Sequence, residues 1–256
     1  MPKFVPISRE RHGTKRWRRF TSYSFAARSA LAQLVAAELP RAAVSLPLAF
    51  IEQGDAYAPV AVLGLEPGMN LFVQDDGRWA GSYVPSAFRS HPFSLAQADG
   101  DQLVLCVDEE SGLLTDGAEG EGLFSEQGEP SDALAQVLGF LQEIERNKAP
   151  TRAACAELAS HDLLQPWPIK IKTTAGDRQV EGLFKVDEGG LGKLPDDAFL
   201  RLRKSGALPM AYCQLLSMHH LGALQQLAAV KAKAALVPKK PAADQFVLQD
   251  DDLLHF

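Results

Sequence analysis

The sequence has few cysteines, no long apolar run and no lysine or arginine between Arg89 and Arg146. Cys106, Cys155 and Cys213 are odd in number, far apart and never in Cys-x-x-Cys spacing. That argues against a disulfide framework or a zinc site and fits three ordinary thiols in a reducing compartment. The most apolar region, Ala26 to Phe50, is cut by Arg28, Gln33, Glu38, Pro40, Arg41 and Pro47. Nothing reaches the roughly 18 uninterrupted apolar residues of a spanning helix. Met1 to Pro6 has neither the apolar stretch nor the small-residue cleavage site of a secretory signal, so a cytoplasmic location is expected.

Signatures of catalysis and metal binding are also missing. There is no Gly-x-Ser-x-Gly elbow and no His-Glu-x-x-His pair, and adjacent His219 and His220 would point about 100° apart on a helix. Gly189-Gly190-Leu191-Gly192-Lys193 sits between an expected strand and helix, as a phosphate loop would. However, Asp187 replaces its first glycine and Leu194 the hydroxyl that would hold magnesium, so a turn is expected. The acidic loop from Asp108 fails the EF-hand pattern, with Leu113 where the turn glycine belongs. No cofactor and no metal is expected.

Charge is unevenly spread. Lys3, Arg9, Arg11, Lys15, Arg16, Arg18, Arg19 and Arg28 face Glu10 alone, which gives the first 28 residues a net charge of +7 in a chain of −6. This basic arm (1–20) reads as folding back onto the acidic middle or lying solvated. Binding of nucleic acid through Arg9 to Arg19 with Trp17 is a weaker reading that overall acidity opposes.

At 256 residues the chain can bury a sizeable core. The pattern predicts an α+β fold in which an antiparallel β-meander and hairpins pack with amphipathic helices. The main body spans 21–235, with subdomains of about 21–130 and 131–235 as one division, followed by an acidic flexible tail over 237–256. A helix is expected over Ala26–Leu39 (Phe25 and the alanines would also suit a strand), then a short helix from Pro40 and a strand over Leu48–Glu52. The meander has strands at Val60–Leu65, Leu71–Gln74 and Arg78–Val84, turning at Glu66-Pro67-Gly68-Met69 and Asp75-Asp76-Gly77. Ser86–Ser90 suits one helical turn and Leu103–Val107 a strand. Ser131 and Thr151 each suit the cap of a separate helix. Ile169–Thr173 and Arg178–Val186 form a hairpin, and Asp196–Lys204 and Met210–Val230 are the closing helices.

Arg78, Trp79, Tyr83, Arg89 and His91 make the best ligand-site candidate. Aromatic faces stack on sugars or peptide side chains, and guanidinium groups fork onto carboxylate or phosphate. A plainer reading makes Trp79 and Tyr83 core anchors and Arg78 a turn residue. In the tail, Asp250, Asp251, Asp252 and Phe256 suit docking to a basic pocket on a partner, like the acidic tip of bacterial single-strand-binding proteins.

The order of several motifs resembles the SapC family, named for an open reading frame of a bacterial surface-layer cluster. These are Phe25-Ala26-Ala27, Glu38-Leu39-Pro40-Arg41-Ala42-Ala43, Leu46-Pro47-Leu48-Ala49-Phe50, Val62-Leu63-Gly64-Leu65 and Asn70-Leu71-Phe72-Val73. Gly77-Arg78-Trp79, Tyr83-Val84-Pro85, Arg89, Pro92-Phe93, Cys106-Val107-Asp108-Glu109, Leu123-Phe124, Gly128-Glu129-Pro130-Ser131 and Val186-Asp187-Glu188 follow. Gln74 stands where an acidic residue is expected, and Ser90-His91 where an Arg-aromatic pair is expected. Both departures count against an anionic ligand at that edge.

The family has no established reaction. Its members resemble companions of outer-membrane uptake receptors, halogenase-like flavoproteins and cupin-like proteins. Some are labelled peptide-transporter permeases, which the absence of a spanning helix contradicts here. The resemblance implies a non-catalytic accessory or binding protein of bacterial surface-layer or nutrient-uptake systems. The expected partner is a protein, with a small molecule or glycan as the other choice. The alternative is an enzyme, a hydrolase or a flavoprotein's tailoring partner, using Arg78, Arg89, His91 and Asp108.

Overall fold

The computed structural model describes residues 3–98, 102–173 and 176–236. The chain runs β1 (Phe4–Pro6), α1 (Arg9–His12), β2 (Arg16–Trp17), β3 (Leu31–Gln33), α2 (Leu39–Ala42), β4 (Leu48–Gln53), β5 (Ala56–Val62), α3 (Ser86–Arg89), β6 (Phe93–Gln97) and β7 (Leu103–Asp108). It continues β8 (Leu114–Thr115), β9 (Glu121–Gly122), α4 (Asp132–Ser160), β10 (Leu164–Pro166), β11 (Ile169–Thr173), β12 (Gly176–Val180) and β13 (Phe184–Val186). The last elements are α5 (Glu188–Leu191), α6 (Asp196–Ser205), α7 (Ala207–Ser217) and α8 (His220–Leu236). Among the described residues every strand pairing is antiparallel, and with the helices this makes an α+β fold. Among the described residues no helix is long and apolar enough to cross a membrane.

A five-stranded sheet, ordered β10-β13-β4-β5-β3, carries the larger core: Leu48 and Phe50 of β4 and Val60 and Val62 of β5 are buried beneath Leu158, Leu202 and Met210. β13 meets β4 only at Phe184–Phe50, so the sheet opens there. Two α7 side chains fill the gap. Gln214 accepts from the Val186 N–H at 3.0 Å and donates to the Leu48 carbonyl at 3.2 Å, and Ser217 accepts from the Leu48 N–H at 2.9 Å. These bonds satisfy backbone groups that burial would otherwise leave unpaired.

A smaller core lies between the sheet β1-β7-β6 and the first half of α4, where Phe93, Val107, Leu134 and Leu141 close around Trp17. The basic N-terminal residues reach this core as strands. β1 pairs with β7, and β2 lies between β8 and β9. Their charges meet the acidic stretch: Arg11 forks onto Glu109 with both contacts at 2.6 Å, Lys15 reaches Asp116 at 2.8 Å and Arg19 reaches Glu121 at 2.7 Å.

Several expected elements take another form. Ala26–Leu39 is no helix, because Leu31, Ala32 and Gln33 alternate exposed, buried, exposed and pair with Val60–Val62 as β3. Leu71–Gln74 and Arg78–Val84 are loop, joined by the single bridge Val73–Trp79. Leu71, Phe72 and Val73 are buried in succession rather than in alternation, and their backbone pairs irregularly, Leu71 N–H with Leu63 and Ala80 N–H with Phe72. The two turns do form: Met69 N–H bonds the Glu66 carbonyl with Gly68 at φ 74°, and Gly77 takes φ 82°.

Ser131 caps α4 through the Leu134 N–H, but α4 runs straight past Pro150. The Thr151 hydroxyl, expected to cap a second helix, donates to the Asn147 carbonyl and accepts from the Ala36 N–H, where a 3₁₀ turn begins. The strand expected over Arg178–Val186 breaks at Gly182 into β12 and β13, and the helix expected over Met210–Val230 breaks into α7 and α8. The glycine run after Asp187 winds into α5.

Candidate functional site

Of the candidate side chains, Tyr83 bonds a buried carboxylate. Glu38, 6% exposed, accepts four hydrogen bonds and forms no ion pair among the described residues. The Val35 N–H (3.0 Å) and the Ser86 hydroxyl (2.7 Å) reach Oε1. The Tyr83 hydroxyl (2.6 Å) and the Ser86 N–H (2.9 Å) reach Oε2. Glu38 therefore ties the turn over Ala36–Glu38 to the start of α3 and fixes the Tyr83 ring. Burial, and next the bond to Glu38, raise the Tyr83 hydroxyl pKa well above the ordinary phenol value.

Trp79 lies against this unit as a core anchor. It stacks on Phe72 at 5.5 Å and 18°, and its Nε1–H donates to the Tyr83 carbonyl at 2.9 Å. Arg78 stands apart: exposed, it reaches back to Asp76 at 2.6 Å and lines neither cleft described below. Arg89, on the last turn of α3, lays its guanidinium 4.9 Å from the centre of the Phe140 ring and 5.8 Å from that of Tyr83. Among the described residues it has no carboxylate partner. His91, beside the cis His91–Pro92 peptide, stacks on Phe25 at 3.8 Å and 13°, with the Phe20 ring edge-on at 5.8 Å. Burial lowers the His91 pKa from its ordinary value, and the Asp108 charge pulls the other way.

His91, with Ser90 and Phe93, forms the wall between two clefts. One, of about 440 Å³, lies between the Trp17–Tyr23 segment and α4 and is lined by Arg19, Phe20, Tyr23, Arg89 and Phe140 among others. Its lining holds no aspartate or glutamate. The other, of about 370 Å³, lies between the sheet face and α4; Phe25, Ser86, Asp108, Glu145 and Lys148 line it. Asp108 Oδ1 accepts from the Lys3 and Glu110 N–H groups, and Lys148 pairs with Glu145 at 2.6 Å.

Arg89 and His91 thus share a cleft, Tyr83 and Trp79 support it from behind, and Arg78 is elsewhere. Glu38, Phe20, Tyr23 and Phe140 were not among the candidates. Only Glu38 carried a signal, as an acid three residues beyond Val35 at a turn. Asp250, Asp251, Asp252 and Phe256 lie outside the described residues. Among the described residues no cluster of three histidine, cysteine or acidic side chains suits a metal. All three thiols are held above their ordinary pKa by burial, Cys155 up to about 12, so each is a poor nucleophile near neutral pH.

A family model described as SapC matches residues 7–224. No curated protein and no solved structure matches the chain.

Proposed function

The chain belongs to the SapC family, and from that premise we propose that it is a non-catalytic accessory protein that works by binding. It serves a bacterial surface-layer or outer-membrane uptake system from the cytoplasm, and its recognition edge is the end of α3 carrying Arg89 and His91. The observation that carries this reading is the Arg89 guanidinium, which among the described residues has no carboxylate partner and lies over two aromatic rings at a cleft. An exposed arginine fixed by aromatic faces rather than by a carboxylate keeps its N–H groups for a partner.

A second reading, a hydrolase or tailoring enzyme, draws on His91 and Asp108 lining one cleft together with Ser90 and Ser94. It is disfavoured by Asp108, which spends one oxygen on two backbone N–H groups, and by the distant Arg78.

Arg89→Ala and Arg78→Ala, compared in affinity capture from the native host and in thermal melting, test the binding reading. Loss of the bound partner or ligand in Arg89→Ala alone, with an unchanged melting temperature, supports it. A lowered melting temperature with undiminished binding would make Arg89 a structural residue and overturn it.

A further inference from the structure

We infer that the cleft between the Trp17–Tyr23 segment and α4 takes a small aromatic carboxylate, its flat body between the rings of Phe20, Tyr23 and Phe140 and its carboxylate on Arg89. The inference rests on the reading of this edge as a recognition site and adds the class of ligand.

Three observations lead there. The first is charge. Although the chain is acidic overall, the lining of this cleft has two arginines and no carboxylate, whereas the neighbouring cleft mixes Asp108, Glu145 and Lys148. The charge of Arg19 is already answered by Glu121 at 2.7 Å, which leaves Arg89 as the uncompensated cation. One free positive charge matches a monoanion. A phosphate would call for more converging donors than this lining offers.

The second is position. The Arg89 guanidinium carbon lies 4.9 Å from the centre of the Phe140 ring, in the lining of the cleft, and among the described residues it has no ion pair, so a two-oxygen partner can take its fork without first displacing a carboxylate.

The third is shape. At about 440 Å³ the cleft falls within the range of small-molecule sites, and rings supply most of its apolar wall. Flat ligands gain from offset or edge contacts with such rings.

Titration calorimetry of the full-length chain with naphthoate and with its uncharged amide, naphthamide, tests the assignment. Naphthoate is expected to bind about tenfold more tightly than naphthamide or better, and its affinity should fall as salt is raised. Arg89→Gln should bring naphthoate down to the level of the amide and leave the amide unchanged, while Arg19→Gln should keep the ratio within about twofold. Phe140→Ala should weaken both. Equal binding of the acid and the amide, or a preference that survives Arg89→Gln, would overturn the carboxylate assignment and leave the recognition cleft standing. Failure of both probes to bind would overturn the cleft itself.

Discussion

Ser86 and Glu38, 48 residues apart in sequence, are joined twice: the Ser86 hydroxyl donates to Oε1 at 2.7 Å and its N–H to Oε2 at 2.9 Å. With Val35 and Tyr83 as the other two donors, the carboxylate faces four N–H or O–H groups from three residues. An amide in its place would turn an NH₂ toward one of those donors. Glu38→Gln is therefore expected to cost about 2–4 kcal/mol, because a buried charged acceptor is lost and donors are left unpaired. For a chain of this size that lowers the melting temperature by roughly 5–15 °C. Tyr83→Phe removes one donor and should cost about 1–2 kcal/mol. Calorimetric melting of both variants checks the order; a Glu38→Gln variant as stable as the parent would show that the four bonds contribute nothing net.

His91 gives a pH dependence with a defined sign. Its folded-state pKa lies below the ordinary 6.5, chiefly through burial. Above that value neither the folded nor the unfolded chain holds the proton on His91, so the residue adds no pH dependence. As pH falls below it, the unfolded chain binds the proton first and the fold loses stability until the lower, folded pKa is passed. His91→Phe keeps a ring to stack on Phe25 and removes the titration. Melting temperatures between about pH 5 and 8 should fall more steeply on acidification in the parent than in His91→Phe. Parallel curves would mean that His91 titrates alike in both states.

The thiols offer a separate check on packing. Cys155 is buried in the larger core with its pKa pushed up to about 12, and Cys213 is half-buried with its pKa raised by burial. A thiol reagent at neutral pH should label Cys213 slowly and leave Cys155 unmodified until denaturant is added. Mass spectrometry of digests identifies the labelled residue. Fast labelling of Cys155 in the native protein would show that this part of the core opens readily.

Short-range chemistry is legible in this sequence. Pro67-Gly68, Asp76-Gly77 and Ser131 mark two turns and a cap, and all three form, because each depends on residues at most a few positions away. The same local signals mislead where a distant group intervenes. Thr151 has the chemistry of a helix cap, but its hydroxyl serves Ala36, so α4 is continuous. Leu31–Gln33 sits among good helix formers, yet the open edge of β5 recruits it as a strand. At the site, Arg89 and His91 stand out by residue type. Phe20, Tyr23 and Phe140 do not, since isolated aromatics are ordinary core material until the chain folds residues 17–23 and α4 onto the same spot.

Helix α4 touches both hydrophobic clusters, with Leu134 and Leu141 in the smaller and Ala154, Cys155 and Leu158 in the larger. At 29 residues it is a rod about 44 Å long, and Phe140, which flanks Arg89, sits in its N-terminal third. A ligand wedged against Phe140 would thus press on a strut anchored at both ends. Its grip would be felt both at the Thr151–Ala36 hydrogen bond and at the small core around Trp17, so occupancy at one spot would bear on both hydrophobic clusters.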